Sequence, residues 1–254
     1  CAGQGTAWPG MGRALLAMPA ARAVLEHAAA VVAEHGGFDL LATLCDLDAP
    51  LRRTELAQPA IVAVTLAIAA ALEVHGVRPA AVIGHSVGEL AAAHLAGALS
   101  RAEALRLACV RGRVMQRSAG AGAMVAVALA PATAAAEVAG EPGLELAAFN
   151  GPQATVIGGD EGAIAALIVR LAASGVRCRR LDVDHAFHTA AMDPALPLFA
   201  AAVGASTATD LRCALYSTVT GASVAGSALG VAHWQAGIRR PVRLDAALQA
   251  AVGD

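Results

Sequence analysis

Residues 83–89, Ile83-Gly84-His85-Ser86-Val87-Gly88-Glu89, constrain the fold of this chain more than any other segment. Ala81-Val82-Ile83 leads into them and is apolar and β-prone; Leu90-Ala91-Ala92-Ala93-His94-Leu95 follows and is strongly helical. A serine with glycines two residues away on both sides, between strand and helix, fits a nucleophile elbow. Glycine is required where neighbouring elements come too close for a Cβ. Such a turn lifts the Ser86 hydroxyl out of the sheet. It also aims the next residue's N–H and the helix N-terminus at the reacting centre. Donors placed there suit acyl transfer, in which an oxyanion forms. The plainer alternative is a glycine-rich loop with an incidental serine.

Composition narrows the class. The chain has 254 residues, enough for one large domain carrying a subdomain. It is 57% hydrophobic, with alanine supplying much of that. No run approaches the ~20 strongly apolar residues of a membrane span; the nearest, Gln58–Glu73, reads as a buried core helix. A net charge of −2 gives no sign of nucleic-acid binding. The five cysteines are scattered, odd in number and without a CxxC pair. They predict a reducing, cytoplasmic setting, with neither a disulfide framework nor a metal site. No signal peptide is expected, and the chain reads as a piece of something longer.

Along the chain, Ala14–His35 predicts a helix stopped by Gly36-Gly37. Leu51–Gln58 reads as a polar connector and Pro59–His75 as the core helix. Ser100 with Glu103 forms a capping box for a helix to about Arg117. Residues 118–122 read as a flexible break. Then the pattern changes: strands over Met124–Leu129, Leu144–Phe149, Ala154–Ile157 and Val176–Val183, with helices over Pro131–Ala139 and Asp160–Ser174. The order β-α-β-β-α-β is the ferredoxin-like signature. A strand over Ala214–Val219 and a helix near Leu244–Ala251 return the chain to the main body. The reading is therefore an α/β body over 1–121 and 186–254, interrupted by a small subdomain over 122–185.

A serine nucleophile needs a base, and the chain has eight histidines. His27, His35 and His75 fall on or at the ends of helices and read as surface residues; His94 is mid-helix. His85 neighbours the serine, but neighbours in an elbow point apart. The cluster His185-Ala186-Phe187-His188 follows the last strand of the subdomain, and His188 is the favoured base, acting near its ordinary pKa of ~6.5. A solvent-facing loop histidine is the bland reading. Arg111 is the other unusual residue: Arg106, Arg113 and Arg117 share a helix face, whereas Arg111 falls among Leu107, Ala108, Val114 and Met115. A guanidinium on an apolar face requires a partner, either a structural carboxylate or that of a substrate.

Taken together, Gly3-Gln4-Gly5, Gly10-Met11-Gly12, Gln58-Pro59-Ala60, the Ser86 motif, Arg111-Gly112-Arg113-Val114-Met115, Asn150-Gly151-Pro152, His185-Ala186-Phe187-His188 and Pro241-Val242-Arg243 resemble the malonyl-CoA:acyl carrier protein acyltransferase family. The likeness is specifically to the acyltransferase domains of type I polyketide synthases, and it covers nearly the whole chain. It implies an α/β-hydrolase-like body with an inserted ferredoxin-like subdomain. It also implies Ser86 as acylated nucleophile and His188 as its base. The N–H groups of Gln4 and Val87 would form the oxyanion hole, and Arg111 would hold a malonyl carboxylate. Gln58, His85, Met115, Asn150, His185 and Phe187 would line the substrate pocket. A backbone carbonyl near Gly237 should orient the imidazole in place of a third acidic member. Two departures stand out: Gly237 where Asn or Gln is usual, and Ala7 where glutamine is usual.

The resemblance further implies malonyl-CoA as substrate and no permanently bound cofactor. The acceptor would be the phosphopantetheine thiol of an acyl carrier protein, with ketosynthase and linker neighbours in the parent synthase. No nucleic-acid or membrane partner is expected. His-Ala-Phe-His accompanies malonyl selection in the resembling family, and the bulk of Phe187 occupies the space an α-methyl needs. Val87 points the same way. A methyl is worth only ~1–3 kcal/mol, so some leakage to methylmalonyl is expected. The competing reading is an α/β-hydrolase-type serine thioesterase or esterase, which needs an acid between Ser86 and His188 in chain order. Asp182 and Asp184 lie there but leave Arg111 unexplained.

Overall fold

The computed structural model describes residues 1–118, 122–204 and 209–253. Residues 119–121 of the expected break lie outside the described residues. In the body, β1 (Ala81–Gly84) runs parallel to β6 (Ala214–Ser217), with Gly84 opposite Ser217, and β7 (Ala222–Ser223) pairs antiparallel with β6. On this sheet packs α4 (Gly88–Leu95); α3 (Thr54–Val74) and α5 (Arg101–Ser118) pack on α4 and on each other, α1 (Pro19–His35) on α3 and α5, and α2 (Leu40–Cys45) on α1. On α1, Ala21, Val24, Leu25, Ala28 and Val32 form the buried stripe that a 3.6-residue period produces. The predicted cap holds: the Glu103 N–H donates to Ser100 Oγ at 3.1 Å.

Two helix boundaries in the body differ from the sequence reading. The helix expected over 14–35 is broken at Met18, which is extended (φ −97°, ψ 115°). Met18 precedes Pro19, and the proline ring disfavours helical backbone at the residue before it. The core helix starts at Thr54 instead of Pro59. The Thr54 N–H, which no helical carbonyl can reach, donates instead to Gln116 Oε1 on α5 at 2.7 Å. That earlier start makes α3 the one helix among the described residues long and apolar enough to cross a membrane. Its residues from Ala57 to Ala63 are all buried in the protein core.

The inserted region contains β2 (Ala123–Val127), α6 (Pro131–Val138), β3 (Leu144–Gly151), β4 (Ala154–Gly159), α7 (Glu161–Ala173) and β5 (Cys178–Arg180). Its antiparallel order β5-β2-β4-β3 is the ferredoxin-like arrangement. Side chains alternate across β2: Val125 and Val127 face Ile164, Leu167 and Leu171, while Met124 packs on the core of the body. The last strand is shorter than the expected 176–183 because β5 is an edge, paired with β2 alone. A further strand was unforeseen. β8 (Val242–Arg243), from the C-terminal part of the body, runs parallel to β3 and extends this sheet to five strands. The Gly122 N–H donates to the Asp184 carbonyl at 3.1 Å, tying the two ends of the insert together.

The remaining body elements are α8 (Ala195–Val203), α9 (Val231–Arg239) and α10 (Leu244–Gly253). All five cysteines are unpaired. Burial pushes the Cys109 thiol up to about 12, which leaves it a protonated, unreactive core residue.

Candidate active site

Ser86 lies just past the C-terminal end of β1, beside the end of its parallel neighbour β6. Open α/β sheets place their ligand sites at that edge. Ser86 has φ 54° and His188 has φ 62°, the two non-glycine residues with positive φ among those described. Strain of this kind persists only where the surroundings impose it. The flanking glycines impose it here: a Cβ on Gly84 would collide with the Glu89 backbone, and one on Gly88 with the Ala2 carbonyl.

The serine hydroxyl sits between two nitrogens. Ser86 Oγ is 2.8 Å from His188 Nε2 and accepts from Arg111 Nη2 at 3.0 Å. His188 Nδ1 lies 2.9 Å from the Arg240 carbonyl, which can only accept. Nδ1 therefore carries the proton, Nε2 is the free acceptor, and the Ser86 O–H donates to it. The orienting carbonyl is Arg240's rather than the expected one near Gly237. The Gly237 carbonyl is taken by Arg111 Nη2 at 3.1 Å, so two neighbouring carbonyls divide the work.

Burial sets the electrostatics. His188 is 5% exposed and Arg111 4%. Burial first, then the Arg111 charge and His85, pushes His188 down to about 3, against the opposing bond to Arg240. The sequence reading placed it near 6.5, because a loop histidine gives no sign of its burial. His188 is thus a neutral imidazole throughout the physiological range. Burial also lowers Arg111, to about 10, and the Glu89 carboxylate offsets part of that. Arg111 stays charged, yet no carboxylate bridges it among the described residues, and its Nη1 has no hydrogen-bond partner.

The other predicted residues form neighbouring groups. Gln58 Nε2 donates to Gln4 Oε1 at 3.1 Å and lies 3.5 Å from Met115 Sδ; Gln4 Nε2 donates to Thr54 Oγ1 at 3.1 Å. Among the described residues, the backbone N–H groups of Gln4 and Val87 have no acceptor. His85 Nε2 is 2.9 Å from Asn150 Oδ1 on β3. Burial lowers the His85 pKa, with the Asn150 bond opposing. His185 meets Gln116 at 3.3 Å and packs edge-on to Phe187, ring centres 5.7 Å apart. A cavity of about 20 Å³ at Ser86 is lined by Arg111, His188, Glu89, Trp234 and Gly237; Gln58, Met115, Asn150, His185 and Phe187 lie outside it.

Asp182 and Asp184 pair with Arg52 on the surface, at 3.1 and 2.8 Å, and play no part at His188. No cluster of His, Cys, Asp or Glu among the described residues could hold a metal ion. Sequence reasoning missed Glu89, His233, Ser217 and Thr218. Glu89 is 2% exposed. Its Oε1 accepts from Ser217 Oγ at 2.6 Å and His233 Nε2 at 2.7 Å; its Oε2 accepts from Thr218 N at 3.1 Å and, at 3.0 Å, shares the single Thr218 hydroxyl hydrogen with the Gly84 carbonyl, which lies 2.8 Å from Thr218 Oγ1. The available signal was a glutamate at the start of an otherwise apolar helix.

A serine activated by a neutral imidazole, beside a buried cation with a donor to spare, fits transfer of an acyl group that carries a negative charge. Known proteins agree on the class. Residues 1–254 match the family described as the acyl transferase domain. NorA′, a spectinabilin polyketide synthase system protein of Streptomyces orinoci, is 39% identical over 250 residues, 95% of this chain. Erythronolide synthase EryA3 of Saccharopolyspora erythraea is 36% identical over 244 residues, also 95% of the chain. The chain spans only 7% and 8% of those two relatives. The loading acyltransferase of the avermectin modular polyketide synthase superposes with a TM-score of 0.94 at 35% identity, covering 99% of this chain and 82% of that one. A malonyl-CoA–acyl carrier protein transacylase from Clostridium perfringens gives 0.87 at 26% identity, covering 99% and 81%. With the elbow, the insert and the Ser86–His188 pair all accounted for in one architecture, the chain belongs to the acyl transferase domain family, alongside the acyltransferase domains of polyketide synthases.

Proposed function

We propose that this domain moves a malonyl unit from malonyl-CoA, through an ester on Ser86, to the phosphopantetheine thiol of an acyl carrier protein in a polyketide synthase. The observation that carries the reading is the position of Arg111. It is a buried guanidinium within hydrogen-bond distance of the nucleophile, with Nη1 unpartnered and no carboxylate among the described residues bridging it. A carboxylate on the acyl group supplies both the acceptor and the charge that Arg111 lacks.

Ser86 Oγ attacks the thioester carbonyl as His188 Nε2 takes its proton. The oxyanion is received by the N–H groups of Val87 and Gln4. The C–S bond breaks, and CoA leaves with the proton from His188. The carrier thiol then attacks the acyl-serine, giving its proton to His188. Collapse of this second intermediate returns the proton to Ser86 Oγ. Arg111 both depresses His188 and binds the substrate, so a carboxylate that offsets its charge raises the basicity of His188 as the reactive complex forms.

Gln58, Met115 and Asn150 flank the acyl group in this reading, with His85 behind Asn150 and His185 holding Phe187 edge-on. The bulk of Phe187 favours malonyl over methylmalonyl. No permanent cofactor is involved; the partners are the carrier protein and neighbouring synthase domains, in a reducing cytoplasm that suits five free cysteines.

Competition among malonyl-, methylmalonyl- and acetyl-CoA, read by intact mass, tests this directly. A malonyl adduct mapping to Ser86 and absent from Ser86→Ala is expected. A methylmalonyl adduct in preference would overturn the choice of substrate. Steady CoA release with no adduct, and no gain on adding carrier protein, would point to a hydrolase.

A further inference from the structure

α9 supplies the carbonyls that hold both polar partners of Ser86. The Gly237 carbonyl accepts from Arg111 Nη2 at 3.1 Å. The Arg240 carbonyl, at the C-terminal cap of the same helix, accepts from His188 Nδ1 at 2.9 Å. The placement of α9 therefore decides where the guanidinium and the imidazole stand relative to the nucleophile. One turn before Gly237 on the same face is His233, whose Nε2 donates to Glu89 Oε1 at 2.7 Å. Glu89 is three residues past Ser86, on the helix that leaves the elbow. This bond is buried on both sides, with side chains 6% and 3% exposed. The other side-chain ties of α9 run elsewhere: Arg239 reaches Asp193 and Glu145, and Gln235 reaches the Leu196 carbonyl.

We propose that His233 and Glu89 are a positioning pair for acyl-group selection, their bond fixing α9 against the elbow so that the Gly237 and Arg240 carbonyls keep Arg111 and His188 in register on Ser86. The inference rests on the acyl-transfer reading above. Glu89 suits this task because three full donors and one shared with the Gly84 carbonyl engage both its oxygens, so it attracts Arg111 through space without occupying the guanidinium N–H groups that a substrate carboxylate needs. The Glu89 charge also supports the protonated state of Arg111.

A matched pair of amide substitutions tests this. His233→Gln reaches Glu89 with an N–H donor; His233→Asn, one methylene shorter, does not. Single-turnover acylation of the chain by malonyl-CoA and by acetyl-CoA is followed by intact mass. With His233→Asn the malonyl-to-acetyl rate ratio should fall by about tenfold to a hundredfold, the cost of misplacing a reacting group by about 1 Å. With His233→Gln it should stay near the wild-type value. A merely structural role lowers both rates by one common factor, and that result, or an unchanged ratio in His233→Asn, overturns the proposal. Should His233→Asn fail to fold, His233→Phe fills the volume without a donor and is expected to lose the ratio in the same way. Wild-type protein run in parallel separates the two readings: absence of any acyl-Ser86 there refutes acyl transfer itself, whereas a working wild type with indifferent variants refutes only the pair.

Discussion

Two buried charges flank the elbow, and they are treated in opposite ways. Glu89 is surrounded by three full donors and one shared with the Gly84 carbonyl, from β6, the residue after it and α9. Arg111 has two neutral acceptors, the Ser86 hydroxyl and the Gly237 carbonyl, and one terminal nitrogen with no partner. A saturated buried charge fixes structure; its desolvation is offset within the fold. An unsaturated one carries an unfavourable term that only a further partner relieves. The difference separates scaffold from binding group more sharply than burial does, since both side chains are almost wholly inside.

Substitution at each charge should therefore give opposite signatures. Arg111→Ala is expected to cost malonyl transfer about a hundredfold or more, with acetyl transfer far less affected. Its melting temperature should hold or rise, because a poorly satisfied charge is removed. Glu89→Ala leaves buried donors unpaired and should lose about 3–5 kcal/mol in urea unfolding. Equal loss of malonyl and acetyl transfer in Arg111→Ala would make Arg111 structural and erase the contrast.

Acid sharpens the same comparison. His188 is held at about 3 in the fold, against ~6.5 in an unfolded chain. Between those values the unfolded chain binds a proton that the folded one refuses, so stability falls as pH falls. The slope approaches about 1.4 kcal/mol per pH unit for this one group. His85, also lowered by burial, adds in the same direction. Urea midpoints at pH 7.5 and pH 5 measure it, and His188→Gln should flatten the dependence. A midpoint indifferent to pH would mean that the imidazole is not desolvated.

The smallest effect is expected at the acyl chain. Phe187→Ser with His185→Tyr should raise the methylmalonyl share by about tenfold, the lower end of the ~1–3 kcal/mol that a methyl is worth. Competition labelling reads that share; an unchanged value places selection elsewhere than the Phe187 side.

What the sequence revealed was local or periodic. The Ser86 elbow, the Ser100 cap and the βαββαβ order each rest on neighbouring residues, and Arg111 stood out by its position on a helix face. What it concealed was long-range. Glu89 and His233 are 144 residues apart, and neither has a neighbour that announces the other. The acceptor for His188 is the carbonyl of Arg240, and a carbonyl is common to every residue type, so no side chain marks it. The early start of α3 depends on a side chain from another helix, Gln116, which helix signals within 51–58 do not contain.

The parallel pairing of β8 with β3 has a consequence for engineering. Cuts at the insert's two ends, where Gly122 meets Asp184, look convenient for exchanging it between acyl transferase domains. Yet Val242 and Arg243, paired with Ala148 and Phe149, stay behind with the recipient. Arg240, the residue holding His188, lies two positions before that pairing. A transplanted insert whose β3 edge fits poorly would thus disturb the base without altering one residue of the recipient's active site. Chimeras that carry residues 240–243 together with the insert keep that seam intact.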